Sequence, residues 1–114
     1  MKKVYNLIGL AHRAGKVSAG TMAAKTSLQR KRAYLLIMSK DISENSRDMI
    51  ASTSEKQKIP WIVLGDKYEL GTSVGKAYRV AVTVNDAGMA KAIVDALEAV
   101  GEVEKSMGVV EWSK

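Results

Sequence analysis

The first forty residues contain neither aspartate nor glutamate, and the whole 114-residue chain has no cysteine, one proline and one histidine. Each absence excludes something. Without cysteine there can be no disulfide and no thiolate metal ligand, which suits a reducing compartment. One histidine and no cysteine leave nothing from which to build a soft metal site, so no metal or other cofactor is expected. A single proline, with no Ser/Gly-rich linker or low-complexity tract, argues against disorder over the whole chain. The early apolar residues Leu7, Ile8, Leu10 and Ala11 are cut off by Arg13, too soon for a secretory segment or a membrane span. The chain is expected to be cytoplasmic, with no membrane partner.

What is present is a polarised charge. Lys2, Lys3, Arg13, Lys16, Lys25, Arg30, Lys31, Arg32 and Lys40 put nine cations into the acid-free first forty residues. The remainder carries nine Lys or Arg against twelve Asp or Glu, so the net charge of +6 belongs to the first third. That excess fits a polyanionic partner, nucleic acid before any other, or simply a solvated surface that keeps the chain soluble. At 46% hydrophobic residues the chain can bury a core, and its length fits one compact domain.

Val4, Leu7, Ile8 and Ala11 recur at helical spacing, predicting a first helix over 4–13 that Gly15 ends. After a short extended piece at Lys16-Val17-Ser18, Gly20-Thr21 marks a second helix over 21–31, capped by Thr21 or Ser18. The continuous apolar run from Ala33 to Met38 predicts a strand covered on both faces. A helix starting near Ser43 has Met49 and Ile50 as its anchors. Ile59–Leu64 is a second strand, with Pro60 at its beginning, where a missing amide costs least. Lys67–Leu70 reads as one helical turn before Gly71, Leu70–Lys76 as a glycine-punctuated loop or short helix, and Tyr78–Val84 as a third strand. Asp86 precedes a helix with Ala90, Ile93, Val94 and Leu97 on its apolar face. Beyond Gly101, the residues Met107, Val109, Val110 and Trp112 suit either a small edge strand or a packed tail. Helices alternating with strands predict an α/β chain with helices covering a small sheet.

Catalytic chemistry finds little support. His12, beside Arg13 near a helix end, reads as a surface or cap residue rather than a general base. Asp41/Glu44 and Asp66/Glu69 sit where helix starts favour carboxylates. Gly71–Lys76 has glycines and a lysine but not the spacing of a phosphate loop, so it leaves only a weak case for a small-ligand site or an enzyme. RNA recognition asks for other parts: phosphate donors, an edge for unpaired bases and a stacking surface. Lys16, Gly20, Thr21, Met22 and Lys25 would form a basic helix start whose amides favour an anion. Gly20 is equally an ordinary turn glycine. Lys76 and Arg79 flank Tyr78, which either stacks on a base or packs half-buried. If that loop folds beside the Gly20 turn, the two make one groove. Arg30, Lys31 and Arg32 lie at the other end of the helix, about 15 Å away, and would add field rather than base readout.

The segments LIGLAHRAGKVSAG (7–20), AYLLIMSKDIS (33–43), KIPWIVLGDKYELGTSVGK (58–76) and RVAVTVNDAGMAKAI (79–93) resemble the ribosomal protein L7Ae/L30e family, in its bacterial YlxQ-like branch. The most telling part is Leu70-Gly71 with Gly75 after the Pro60 strand. The resemblance implies an L30e-like, three-layer α/β/α sandwich around a mixed sheet of about four strands over residues 1–100, with 101–114 as an extension. It implies a non-catalytic RNA-binding protein, monomeric, with structured RNA such as ribosomal RNA, and ribosomal proteins, as partners. The family signature Gly-Thr-Asn-Glu-x-x-Lys opens the second helix of kink-turn binders. Gly20 and Thr21 match it; Met22, Ala23 and Thr26 stand in place of Asn, Glu and Lys, and Lys25 comes one position early. The second contact loop falls near Ala77–Val80. Since Met22 and Ala23 cannot read base edges, the alternative is a protein-interaction module on the same scaffold.

Overall fold

The computed structural model describes residues 2–100 and 104–105. The elements run α1 (Lys2–Arg13), β1 (Val17–Ala19), α2 (Thr21–Gln29), β2 (Leu35–Met38), α3 (Glu44–Lys56), β3 (Trp61–Val63), α4 (Lys67–Ser73), β4 (Ala81–Val84), α5 (Ala87–Val100) and β5 (Glu104–Lys105). The sheet order is β1-β4-β2-β3-β5. β2 and β3 are parallel; the other pairings are antiparallel. The sheet is therefore mixed, and it has five strands where the resemblance implied about four. The additional strand is β5, whose Lys105 and Glu104 pair with Ile62 and Val63. The suggested edge strand or tail at 107–112 lies outside the described residues.

The alternation of side chains along the strands builds the layers. Leu35 and Ile37, with Val82 and Val84, face α1, α4 and α5, where Val4, Ile8, Leu70, Val74, Ala90 and Ile93 complete one core. Leu36, Met38 and Ala81 face the other way, onto Ala24 and Leu28 of α2 and Ile50 of α3. β2 lies between β4 and β3, so all four of its residues are buried. This explains why its sequence is continuously apolar rather than alternating. The result is the three-layer sandwich.

Local chemistry sets most of the element ends. α1 closes at Gly15 (φ 75°), with the Gly15 amide donating to the His12 carbonyl and the Lys16 amide to that of Ala11. α2 closes the same way around Lys31 (φ 58°), whose amide donates to Leu28 while that of Arg32 donates to Ser27. The Ser43 side chain caps α3, and Asp66 with Glu69 forms a reciprocal capping box on α4. Asp86 accepts from the Met89 amide at the start of α5.

Four expectations need correction. Neither Thr21 nor Ser18 caps α2: its N-cap is Gly20, without a side-chain hydrogen bond. The Ser18 hydroxyl instead meets that of Ser27 at 2.6 Å and accepts from the Asn85 amide group at 2.9 Å. Met49 is 38% exposed, because α3 presents Ile50 and Ser54, one turn apart, to the core. Gly71 does not end α4, which continues to Ser73. Finally, β4 starts at Ala81 rather than Tyr78. The Arg79 amide donates to the Lys67 carbonyl at 2.9 Å, which ties Tyr78–Val80 to α4 as a loop.

A candidate nucleic-acid interface at the start of α2

Gly20 occupies φ 108°, ψ 154°, a conformation that side chains with a Cβ rarely adopt. Its amide donates to the Ala81 carbonyl at 2.8 Å, which fixes the turn to β4. Its carbonyl accepts from the Ala24 amide at 2.8 Å, the first hydrogen bond inside α2. The amides of Thr21, Met22 and Ala23 precede that bond, and no side chain caps them. They carry the positive end of the helix dipole and favour an anion.

Opposite this turn stands the loop before β4. Together they line a cleft of about 400 Å³, with Ala19 to Ala23 on one wall and Tyr78, Arg79 and Val80 on the other. A Cβ on Gly20 would meet Arg79 Nε at 3.7 Å, so the guanidinium lies across the turn. One arm of it also donates to the Tyr78 carbonyl at 2.7 Å. Met22 is 71% exposed and Tyr78 56% exposed, leaving an apolar side chain and a ring open at the mouth. Among the described residues no Asp or Glu lines the cleft.

Six of the ten residues singled out in the sequence thus share one site: Gly20, Thr21, Met22, Ala23, Tyr78 and Arg79. The other four do not line it. Lys16 is exposed at the end of α1, and its carbonyl accepts from the Asn85 amide. Lys25 reaches along α2 toward α3, with its Nζ 3.9 Å from Met49 Sδ. Thr26 is exposed further along α2, and Lys76 is exposed in the loop after α4. Lys67 was missed by the sequence reading. Its Nζ lies 5.8 Å from the Tyr78 ring centre, near enough to hold the ring by a cation–π contact. In the sequence it is an ordinary helix-start residue, and only the fold brings it to Tyr78. Among the described residues no group of three or more His, Asp or Glu is placed to hold a metal ion, and no helix is long and apolar enough to cross a membrane.

A mixed five-stranded sheet between two helical layers, with an open helix start facing a loop, defines an L30e-like sandwich. The chain belongs to the ribosomal protein L7Ae/L30e/S12e/Gadd45 family, whose sequence profile matches residues 2–94. It is 32% identical over 94 residues to the RNA-binding protein YlxQ of Bacillus subtilis, covering 82% of this chain and 94% of that one. It is 31% identical over 104 residues to the large ribosomal subunit protein eL8 of Thermoplasma acidophilum, covering 85% of this chain and 84% of that one. Among solved structures, a Bacillus halodurans protein of unknown function superposes with a TM-score of 0.81 at 28% identity, covering 86% of this chain and 99% of that one. The Giardia lamblia 15.5kD RNA binding protein shares the fold, with a TM-score of 0.69 at 18% identity, over 84% of this chain and 85% of that one. The expected family, its YlxQ-like branch and the sandwich fold are borne out.

Proposed function

We propose that this chain is a non-catalytic RNA-binding protein that seats structured RNA in the cleft between the start of α2 and the Tyr78–Val80 loop. The observation that carries this reading is the juxtaposition of three uncapped amides, the Arg79 guanidinium and the exposed Tyr78 ring in one acid-free cleft. Amides and guanidinium serve phosphate, and a ring serves an unpaired base. Family membership and a relative named for RNA binding support the same direction. We further propose a cytoplasmic monomer with ribosomal RNA among its targets.

The contact set differs from that of the family's kink-turn binders. Met22, Ala23 and Thr26 supply neither the amide nor the carboxylate that would read base edges, and each lost bidentate contact removes about 1–3 kcal/mol of discrimination. The proposed recognition is therefore by shape and phosphate, with weak base preference. A specific observation favours the second reading, a protein-binding face: Met22 is among the most exposed large apolar side chains described, at 71%.

Titration of the whole chain against a panel of structured RNAs at several salt concentrations tests the proposal. Affinity that falls steeply with salt and is lost in single-site variants of the cleft supports it. Absence of binding to every RNA, or binding indifferent to salt, overturns it. Nuclease-resistant capture of a defined protein through Met22 would then favour the second reading.

A further inference from the structure

We infer a second RNA contact at the end of the sheet away from the cleft: a cationic surface that takes the phosphate backbone of a double-stranded stem leaving the cleft along α2. The contact rests on the RNA-binding function proposed above and narrows its substrate to RNAs whose stem is long enough to reach that end.

β2 and β3 are parallel, so the chain enters both at one end of the sheet, where the Leu36 amide donates to the Pro60 carbonyl at 3.0 Å. α2 and α3 deliver it there. Arg30, Lys31 and Arg32 follow α2, Lys56 and Lys58 lie at the end of α3, and all of these residues are exposed. Paired strands lie about 4.8 Å apart, so the two basic turns adjoin. Two nearby carboxylates are already engaged: Glu55 accepts from the Trp61 indole N–H at 3.3 Å, and Asp86 from the Met89 amide at 2.9 Å.

The backbone adds an independent sign. Lys31 (φ 58°) and Lys58 (φ 59°) are the described residues other than glycine with a positive φ. They hold the same position in two ends built alike. The Lys31 amide donates to the Leu28 carbonyl at 3.1 Å and that of Arg32 to Ser27 at 2.9 Å; the Lys58 amide donates to Glu55 at 3.0 Å and that of Ile59 to Ser54 at 2.9 Å. Such an end favours glycine, and a side chain there costs stability. The helix dipole favours a cation near a C-terminus, but Arg30, Arg32 and Lys56 serve it without left-handed strain. Two lysines where folding prefers glycine point to a use for their charge.

What fits is a row of phosphates continuous with the cleft. From the Gly20 turn to Arg30 is about 15 Å along α2, or about five base pairs of a duplex. α2 has no acidic residue, and Met22, Thr26 and then Arg30 are exposed along one side of it from the cleft to the basic turns. α3 carries Glu44 and Asp48 in its first half and Lys56 in its last turn, so its charge turns basic in the same direction. Lysine and arginine at such turns meet phosphates without reading bases. An acidic peptide would meet the same cations, but a stem reaches them from a site its RNA already occupies.

The test uses the full chain and the same RNA panel, each RNA made with a stem of about three and of about twelve base pairs, shorter and longer than the path along α2. The longer stem is expected to bind about tenfold more tightly at low salt, with a salt dependence of log affinity steeper by about 2 or more. Lys31→Gly combined with Lys58→Gly should raise Tm by several degrees, since glycine suits both positions. The same variant should make the long-stem salt dependence shallower by about 2 and bind the short-stem RNA as the parent does. Affinity indifferent to stem length overturns the stem contact and leaves the cleft reading standing. So does a glycine variant that keeps the whole gain, or whose Tm falls. Polyglutamate that binds the parent as tightly as the long stem does assigns the surface to an acidic protein and overturns the stem. Failure of every RNA to bind at either stem length overturns both readings together.

Discussion

Of the glycines inside helices, Gly71 in α4 and Gly88 in α5 should respond to alanine in opposite directions. Helix propensity alone favours both changes, by about 0.5–1 kcal/mol. At Gly88 the added Cβ meets one atom, Asp86 Oδ2, at an ordinary contact distance of 3.4 Å. At Gly71 it would lie 2.4 Å from Tyr78 Cα, 2.7 Å from Tyr78 C and 2.8 Å from Tyr78 N. These are backbone atoms, and relief to ordinary contact requires the Tyr78 segment to retreat by about 1 Å. Overpacking of this kind costs about 1–3 kcal/mol, which outweighs the propensity gain. Gly71→Ala should therefore lower stability by roughly 0–2.5 kcal/mol and Tm by as much as about 10 °C, while Gly88→Ala holds or raises it. The retreat also displaces Tyr78 within the cleft, so RNA affinity should fall several-fold in protein that is still folded. Thermal unfolding by circular dichroism and RNA titration below Tm read the two effects separately. Equal stability of the two variants, with unchanged RNA affinity, would refute the close approach of α4 to the Tyr78 loop.

Arg79→Gln should weaken every RNA alike and make the salt dependence of log affinity shallower by about 1, read from binding isotherms across a salt series. Asp66→Ala removes the acceptor of the Tyr68 and Glu69 amides, at 2.9 and 2.8 Å, and should cost about 1 kcal/mol in chemical denaturation. Tyr5 gives a pH signature: burial, then the Glu69 and Asp66 carboxylates, push its phenol up to about 12 from the ordinary 10.0. Because the folded value is raised, the unfolded chain releases the proton first. Its contribution is whole below pH 10 and is lost as pH rises toward 12, a loss that Tyr5→Phe removes in denaturation curves taken across that range.

The parts of the fold legible in the sequence are those with a period to read. The α5 face Ala90, Ile93, Val94 and Leu97 is buried as its spacing predicts, and the apolar run ending at Met38 became the central strand. Met49 was misjudged because α3 has so few apolar residues that its phase is poorly marked; the buried stripe is set by Ile50 and Ser54. Gly71, Lys67 and Ser18 were read as a helix end, a helix start and a cap. Their roles lie in contacts with Tyr78, with two rings, and with Ser27 and Asn85, partners fixed by packing between segments rather than by any local pattern. The Gly20 turn and the Tyr78–Arg79 loop were legible as site components. That they meet was conditional on a tertiary contact, which the Gly20 to Ala81 hydrogen bond provides.

The missing cap on α2 has a physical meaning of its own. α3, α4 and α5 each begin on a side-chain oxygen, from Ser43, Asp66 and Asp86, whereas α2 begins on Gly20. A glycine in that position costs only a few tenths of a kcal/mol relative to a capping side chain. Burial of Leu28, together with Ala24, offsets this easily, since one fully buried leucine contributes about 1.5–3 kcal/mol. Space does not demand the glycine, because a Cβ would be in ordinary contact with Arg79 at 3.7 Å; the backbone conformation does. That conformation turns the chain from β1 into α2 and leaves the start of α2, beside the cleft, without a side-chain cap. A serine or aspartate cap would place an oxygen where an incoming phosphate would bind. The backbone conformation therefore accounts for the glycine, and the absence of a side-chain cap leaves the helix start open to an anion, as the proposed function requires.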